Sequence, residues 1–152
     1  MTGQVGIALL VGVAATVEDL VRRRISNWIP LTALLGGLAW QSMANGWRGG
    51  VSGVLGAVAG FAVFLIFYLR GGMGGGDIKL MAGFGALLGF ERLWHAALWT
   101  AALGGLLAAG VLAVGAAWNS IRNKRGDAQG PVFIPYAPAI ALGAWLSLVP
   151  RS

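Results

Sequence analysis

Residues 51–69 read VSGVLGAVAGFAVFLIFYL, without one charged side chain. A helix needs roughly 20 apolar residues to cross a bilayer, whereas a membrane β-strand needs about 10 with strict alternation. Val51–Leu69 meets the first requirement and lacks the second. Working outward, five further apolar segments run from about Val5 to Val17, Trp28 to Ala44, Ile78 to Phe90, Leu93 to Trp118 and Val132 to Val149. The sequence therefore predicts an all-α integral membrane protein, a single polytopic domain over residues 1–152 with about six transmembrane helices.

Composition agrees. Of the 152 residues, 57% are hydrophobic and 11% charged, and the mean hydropathy is +0.76. A soluble domain averages about 25% charged residues, so a soluble helical bundle is disfavoured. The 26 glycines follow no collagen-like period; small residues let membrane helices approach closely. There is no cysteine, which excludes disulfides, thiolate metal sites and cysteine nucleophiles. His95 is the one histidine and has no second histidine with which to build a metal cluster. Neither metal nor cofactor is expected.

The net charge of +6 suggests nucleic acid less than topology, because the basic residues lie in short loops between apolar runs. Arg22, Arg23, Arg24, Arg70, Lys79, Arg122, Lys124 and Arg125 fall on one side of the predicted topology, and Arg48, Arg92 and Arg151 on the other. The positive-inside rule puts the larger group in the cytoplasm and both termini outside. The opening MTGQVGIALLVGVAATVEDL has no positive charge before its apolar run. It reads as a retained first helix rather than a cleaved signal peptide.

The fourth segment, Ile78–Phe90, is short: at the helical rise it reaches about 20 Å, against about 30 Å of hydrocarbon. The glycines of RGGMGGGD, residues 70–77, supply irregular backbone, which a membrane tolerates only inside protein or beside a wet cavity.

Five acids remain: Glu18, Asp19, Asp77, Glu91 and Asp127. Asp127 sits in a polar loop, and Glu91 pairs locally with Arg92 or with headgroups. Asp19 ends the first helix and Asp77 opens the fourth, both on the predicted cytoplasmic side. Asp77 after glycines suits a helix N-cap. Asp19 has no such role, since an acid at a helix C-terminus opposes the dipole. Two carboxylates at one depth suit acid–base hydrolysis: a close pair shares a proton, one member taking a proton from water while the other polarises the scissile carbonyl. Glycines beside them let an extended peptide approach.

GGGDIKL, residues 74–80, holds a Gly-Xaa-Gly-Asp element. EDLVRRRISNWIP, residues 18–30, holds an aspartate, a basic stretch and Ile25-Ser26-Asn27, and IPYAPAIALG spans residues 134–143. In this order they resemble the type IV prepilin peptidases, aspartic membrane proteases. The resemblance implies that Asp19 and Asp77 are catalytic. It implies cleavage of pilin-like precursors at the cytoplasmic face of the bacterial inner membrane, between a short basic leader and an apolar helix. Ser26 stands where the family usually has proline, a change expected to affect the local turn more than the chemistry. The chain resembles the short form associated with tight-adherence (Flp-type) pili, lacking the cysteine-containing region of members that also methylate their product. The partners expected are pilin precursors and membrane lipids, not nucleic acid.

Gly74, Gly75 and Gly76 are expected to shape the site. Asn27 is a candidate side-chain cap for the second helix. Lys79 is a candidate to snorkel or to hold Asp77 ionised. Tyr136 can donate to an acid or simply pack, and Pro135 and Pro138 are expected to kink the last segment. Trp28, Trp94, Trp99 and Trp118 read as interfacial belt residues, and the small residues of GGVSGVLGAVAG, 49–60, as a helix-packing surface. Two other classes remain: a small proton-coupled transporter, since membrane acids also serve relays, and an inactive pilus-assembly protein.

Overall fold

The computed structural model describes residues 2–70, 73–122 and 136–149, and the side chains of 3–70, 73–115 and 136–149. Lys124, Arg125, Asp127, Pro135 and Arg151, and the side chains of Trp118 and Arg122, lie outside the described residues. Four helices follow in order: α1 (Thr2–Arg22), α2 (Trp28–Leu69), α3 (Gly75–Arg122) and α4 (Ala137–Leu148). No strand occurs among the described residues. Stretches Gly3–Arg22, Trp28–Leu69 and Gly75–Gly115 are long and apolar enough to cross a membrane, while α4, with 12 residues, is shorter.

The expected six separate transmembrane helices are thus corrected to four helical elements. The reason is the tightness of two turns. Between the segments expected at Trp28–Ala44 and Val51–Leu69, only Asn45 (φ −128°, ψ 15°) and Gly46 (φ 60°, ψ −151°) leave helical geometry. Between Ile78–Phe90 and Leu93–Trp118, only Gly89 (φ 76°, ψ 169°) does so. Both glycine conformations are hostile to a Cβ.

Both long helices double back at these points. A Cβ on Gly53 would lie 3.1 Å from the Leu38 side chain. Along a straight helix those residues would be roughly 22 Å apart. A Cβ on Gly60 would lie 2.8 Å from the Met81 carbonyl oxygen and 3.4 Å from the Leu93 side chain, residues about 18 Å apart on a straight rod. Each long helix is therefore a hairpin with two packed arms.

The first arm of α3 is the centre of the protein. Leu80, Met81, Phe84 and Leu87 on it are fully buried, joined by Leu93 and Ile140. This resolves the shortness of the fourth apolar segment, which is enclosed in protein and need not match the lipid thickness. Close approach is achieved by small residues: Gly56 meets the Gly85 backbone, Gly37 the Leu87 backbone and Gly83 the Ala33 side chain. The small residues expected to pack helices do so at Gly49, Gly53, Gly56 and Gly60, all buried.

Breaking α3 at Gly89 exposes backbone groups that need partners. The Leu87 carbonyl accepts from Gln4 Nε2 at 2.7 Å and from Gln41 Nε2 at 3.0 Å, and Phe90 N–H donates to Ser52 Oγ at 3.1 Å. These amides explain two buried polar side chains in an apolar core. Helix α4 runs antiparallel to α1, with Trp145 Nε1 donating to the Ala8 carbonyl at 2.9 Å. The outward faces are apolar, with Leu10, Leu35, Val58, Leu106 and Val114 all exposed, as lipid contact requires.

Candidate active site

Asp19 lies in the last turn of α1 and is 4% exposed. Its Oδ2 accepts from the backbone N–H of Ala137, the first residue of α4, at 3.2 Å. The carboxylate opposes the dipole of its own helix but meets the positive end of another. That partner is what the sequence reading of Asp19 lacked.

Asp77 is 7% exposed. It is the third residue of α3, not the residue before it. Its Oδ2 accepts from the Gly74 N–H at 3.1 Å, and its own N–H donates to the Gly74 carbonyl at 3.2 Å. The side chain reaches back to the flanking residue, as the acid of a capping box does. The simple N-cap expected of Asp77 is corrected accordingly. Each aspartate is thus oriented through one oxygen by a backbone N–H. The two carboxyl groups lie near enough for the charge on one to act on the other.

The loop between α1 and α2 is locked to the glycine loop before α3. A Cβ on Gly76 would lie 3.0 Å from the Cβ of Ile25, so glycine there allows the close approach. Lys79 Nζ donates to Asn27 Oδ1 at 2.9 Å. This corrects two expectations. Asn27 precedes α2 without capping it through its side chain, because that oxygen is taken by Lys79, and Lys79 is bonded to Asn27 rather than to Asp77. Gly75 lies beside the Tyr68 ring, and Gly74 is exposed next to Asp77 Oδ2.

Glu18 anchors the same loop. It accepts from Ser26 N–H at 2.7 Å and Ser26 Oγ at 2.6 Å, and pairs with Arg22 at 3.4 Å. A proline at 26 would supply neither Ser26 donor.

Tyr136 precedes α4 and makes no side-chain cap bond. Its ring packs 3.4 Å from where a Cβ on Gly104 would be. Pro138 occupies the first turn of α4, where its missing N–H costs nothing; it starts the helix rather than kinking it. The neighbouring N–H of Ala137 was missed in the sequence, although a proline marking a helix start is the signal for free backbone donors just ahead of it. No group of three or more His, Cys, Asp or Glu residues that could hold a metal ion occurs among the described residues.

Three separated stretches thus meet: Asp19 to Asn27, Gly74 to Lys79, and Tyr136–Ala137. The sequence profile of the type IV leader peptidase family matches residues 6–109, which include both aspartates. The prepilin leader peptidase/N-methyltransferase of Aeromonas hydrophila is 31% identical over 144 residues, covering 90% of this chain and 46% of the relative. The chain therefore spans about half the length of that curated relative. No solved structure matches the chain.

Proposed function

The chain belongs to the type IV leader peptidase family, and from that premise we propose that it is a membrane aspartic endopeptidase. It releases the short basic leader of pilin-like precursors, of the tight-adherence type, at the cytoplasmic face of a bacterial inner membrane. The observation that carries this reading is the burial of Asp19 and Asp77, each oriented by a backbone N–H at a helix start.

The chemistry needs one proton shared by the pair. The ionised carboxylate takes a proton from water as its oxygen attacks the scissile carbonyl carbon. The protonated carboxyl gives its proton to the carbonyl oxygen. Collapse of the tetrahedral diol breaks the C–N bond, and the leaving amine takes the proton held by the first aspartate. The second is reprotonated as the carbonyl re-forms, and the pair is restored. The exposed Gly74 leaves room for an extended strand beside Asp77.

Orientation follows from charge. Arg22 to Arg24 and Arg70 flank the ends of α1 and α2 on the aspartate side, while Arg48 and Arg92 flank the turns at Gly46 and Gly89. The richer side is cytoplasmic by the positive-inside rule. The proposal is confined to peptide hydrolysis and assigns no methyl transfer.

The test is incubation of the purified protein in lipid with a tight-adherence precursor pilin, followed by mass spectrometry. Release of the leader as one intact peptide is expected. A precursor left whole by a folded, lipid-reconstituted sample rejects the reading.

A further inference from the structure

The end of the molecule away from the aspartates holds a second cavity, of about 460 Å³. Its lining includes Gln4 of α1, Gln41, Arg48 and Ser52 of α2, and Glu91 and Arg92 of α3. Gln4 and Asp19 lie near opposite ends of α1, roughly 22 Å apart at the helical rise, so this cavity is separate from the candidate active site. Arg48 follows the turn at Gly46, and Arg92 the turn at Gly89. The cavity therefore sits where both hairpins reverse.

What this cavity offers an incoming group is mostly donors. Its amide oxygens are taken: Gln4 Oε1 accepts from Arg92 Nη1 at 3.5 Å, and Gln41 Oε1 from Asn45 Nδ2 at 3.0 Å. Ser52 Oγ accepts from Phe90 N–H at 3.1 Å, which leaves its hydroxyl proton to donate. Among the described residues neither Arg48 nor Arg92 forms an ion pair, and Arg48 makes no side-chain hydrogen bond. Glu91 lines the same cavity without pairing with Arg92. Two guanidiniums against one carboxylate leave the cavity positive. A guanidinium without a carboxylate is a fork of donors that matches a phosphate.

Depth says which phosphate is at hand. Both hairpins belong to stretches long and apolar enough to cross a membrane, so their turns fall at the level of the lipid headgroups. Trp47, between Gly46 and Arg48, is exposed, as suits an indole at that level. We propose that the cavity binds the phosphate of a membrane phospholipid in the leaflet away from the aspartates. Arg48 of one hairpin and Arg92 of the other donate to its oxygens, and the Ser52 hydroxyl adds a third donor. A bound headgroup thereby clamps the two turns to each other. The site stands whether or not the protein cleaves precursors.

Native mass spectrometry of the detergent-purified protein tests this, with dioleoylphosphatidylglycerol compared against dioleoylglycerol, which has the same tails and no phosphate. The parent is expected to retain the phospholipid and not the diacylglycerol. Arg48→Gln removes a side chain with no partner in the protein, so the lipid-free melting temperature should hold while retention falls about fivefold. Arg70→Gln removes the same charge at the other end of α2 and should retain lipid as the parent does. Glu91→Gln removes the opposing acid and should retain more. Undiminished retention in Arg48→Gln, equal losses in Arg48→Gln and Arg70→Gln, or a loss in Glu91→Gln overturns the proposal, and so does equal retention of the diacylglycerol. A parent that holds no phospholipid, yet melts higher in inorganic phosphate, overturns the lipid as the source in favour of the free ion.

Discussion

The backbone N–H of Ala137 donates to Asp19 Oδ2 at 3.2 Å, across 118 positions of sequence. Through this bond the carboxylate of α1 satisfies an orphan donor of α4. It also explains how an acid is kept buried at the negative end of its own helix. The same bond fixes the direction of the side chain, so the fold supplies orientation as well as proximity to Asp77.

The turns make a first prediction. Gly46 has open space around a built Cβ, whereas a Cβ on Gly89 would lie 2.8 Å from Gln41 Nε2 and 2.9 Å from Ser52 Oγ. Both have positive φ. Gly46→Ala should cost the backbone strain alone, about 1–3 kcal/mol. Gly89→Ala should cost more, because it also displaces Gln41 from the Leu87 carbonyl. Thermal unfolding in detergent measures the order, and equal losses would contradict it.

Topology gives a second. A reporter inserted at Gly46 should read as outside the cytoplasm, and one inserted after Arg24 as inside. The reverse pattern would put the aspartates on the wrong face for a cytoplasmic leader.

The loop before α2 gives a third. Ser26→Ala removes one donor to Glu18 and Ser26→Pro removes both. The melting temperature should fall modestly in the first and further in the second. A Ser26→Pro variant as stable as the parent would show that the Glu18 contacts do not hold the loop.

How far the sequence reached depends on the range of each contact. The apolar run Val51–Leu69 announces a membrane helix on its own, and the spacing of charges puts Asp19 and Asp77 at one face. What stayed hidden was long-range. Asn27 before an apolar helix has every local feature of a cap, yet Lys79, 52 residues away, takes its oxygen. The two hairpins were read as separate helices because one or two non-helical residues suffice to reverse each chain. Ala137 contributes a backbone group, which no side-chain pattern reveals.

The Lys79–Asn27 bond gives a fourth prediction. Asn27→Ala and Lys79→Met should each weaken the link between the two loops. A double-mutant cycle should give a coupling of about 0.5 kcal/mol, as for an exposed bond. Leader release should fall by less than about tenfold in either variant, since each residue positions rather than reacts. A coupling of zero would remove the bond from the account of the site.

The last prediction separates catalysis from capping. Asp19→Asn and Asp77→Asn are nearly isosteric, and asparagine Oδ1 can still accept from Ala137 and Gly74. Each variant should therefore insert and melt close to the parent. Each loses the group that holds or releases a proton, so leader release should fall at least about 100-fold. Because the aspartates act as one unit, the double variant should be little worse than either single one. Asparagine caps a helix about as well as aspartate. If Asp77 served only to hold Gly74, Asp77→Asn would cut precursor at the parental rate, and if Asp19 served only to hold Ala137, so would Asp19→Asn. A folded Asp77→Asn variant that still releases leader would remove Asp77 from the chemistry, and with it the two-aspartate mechanism.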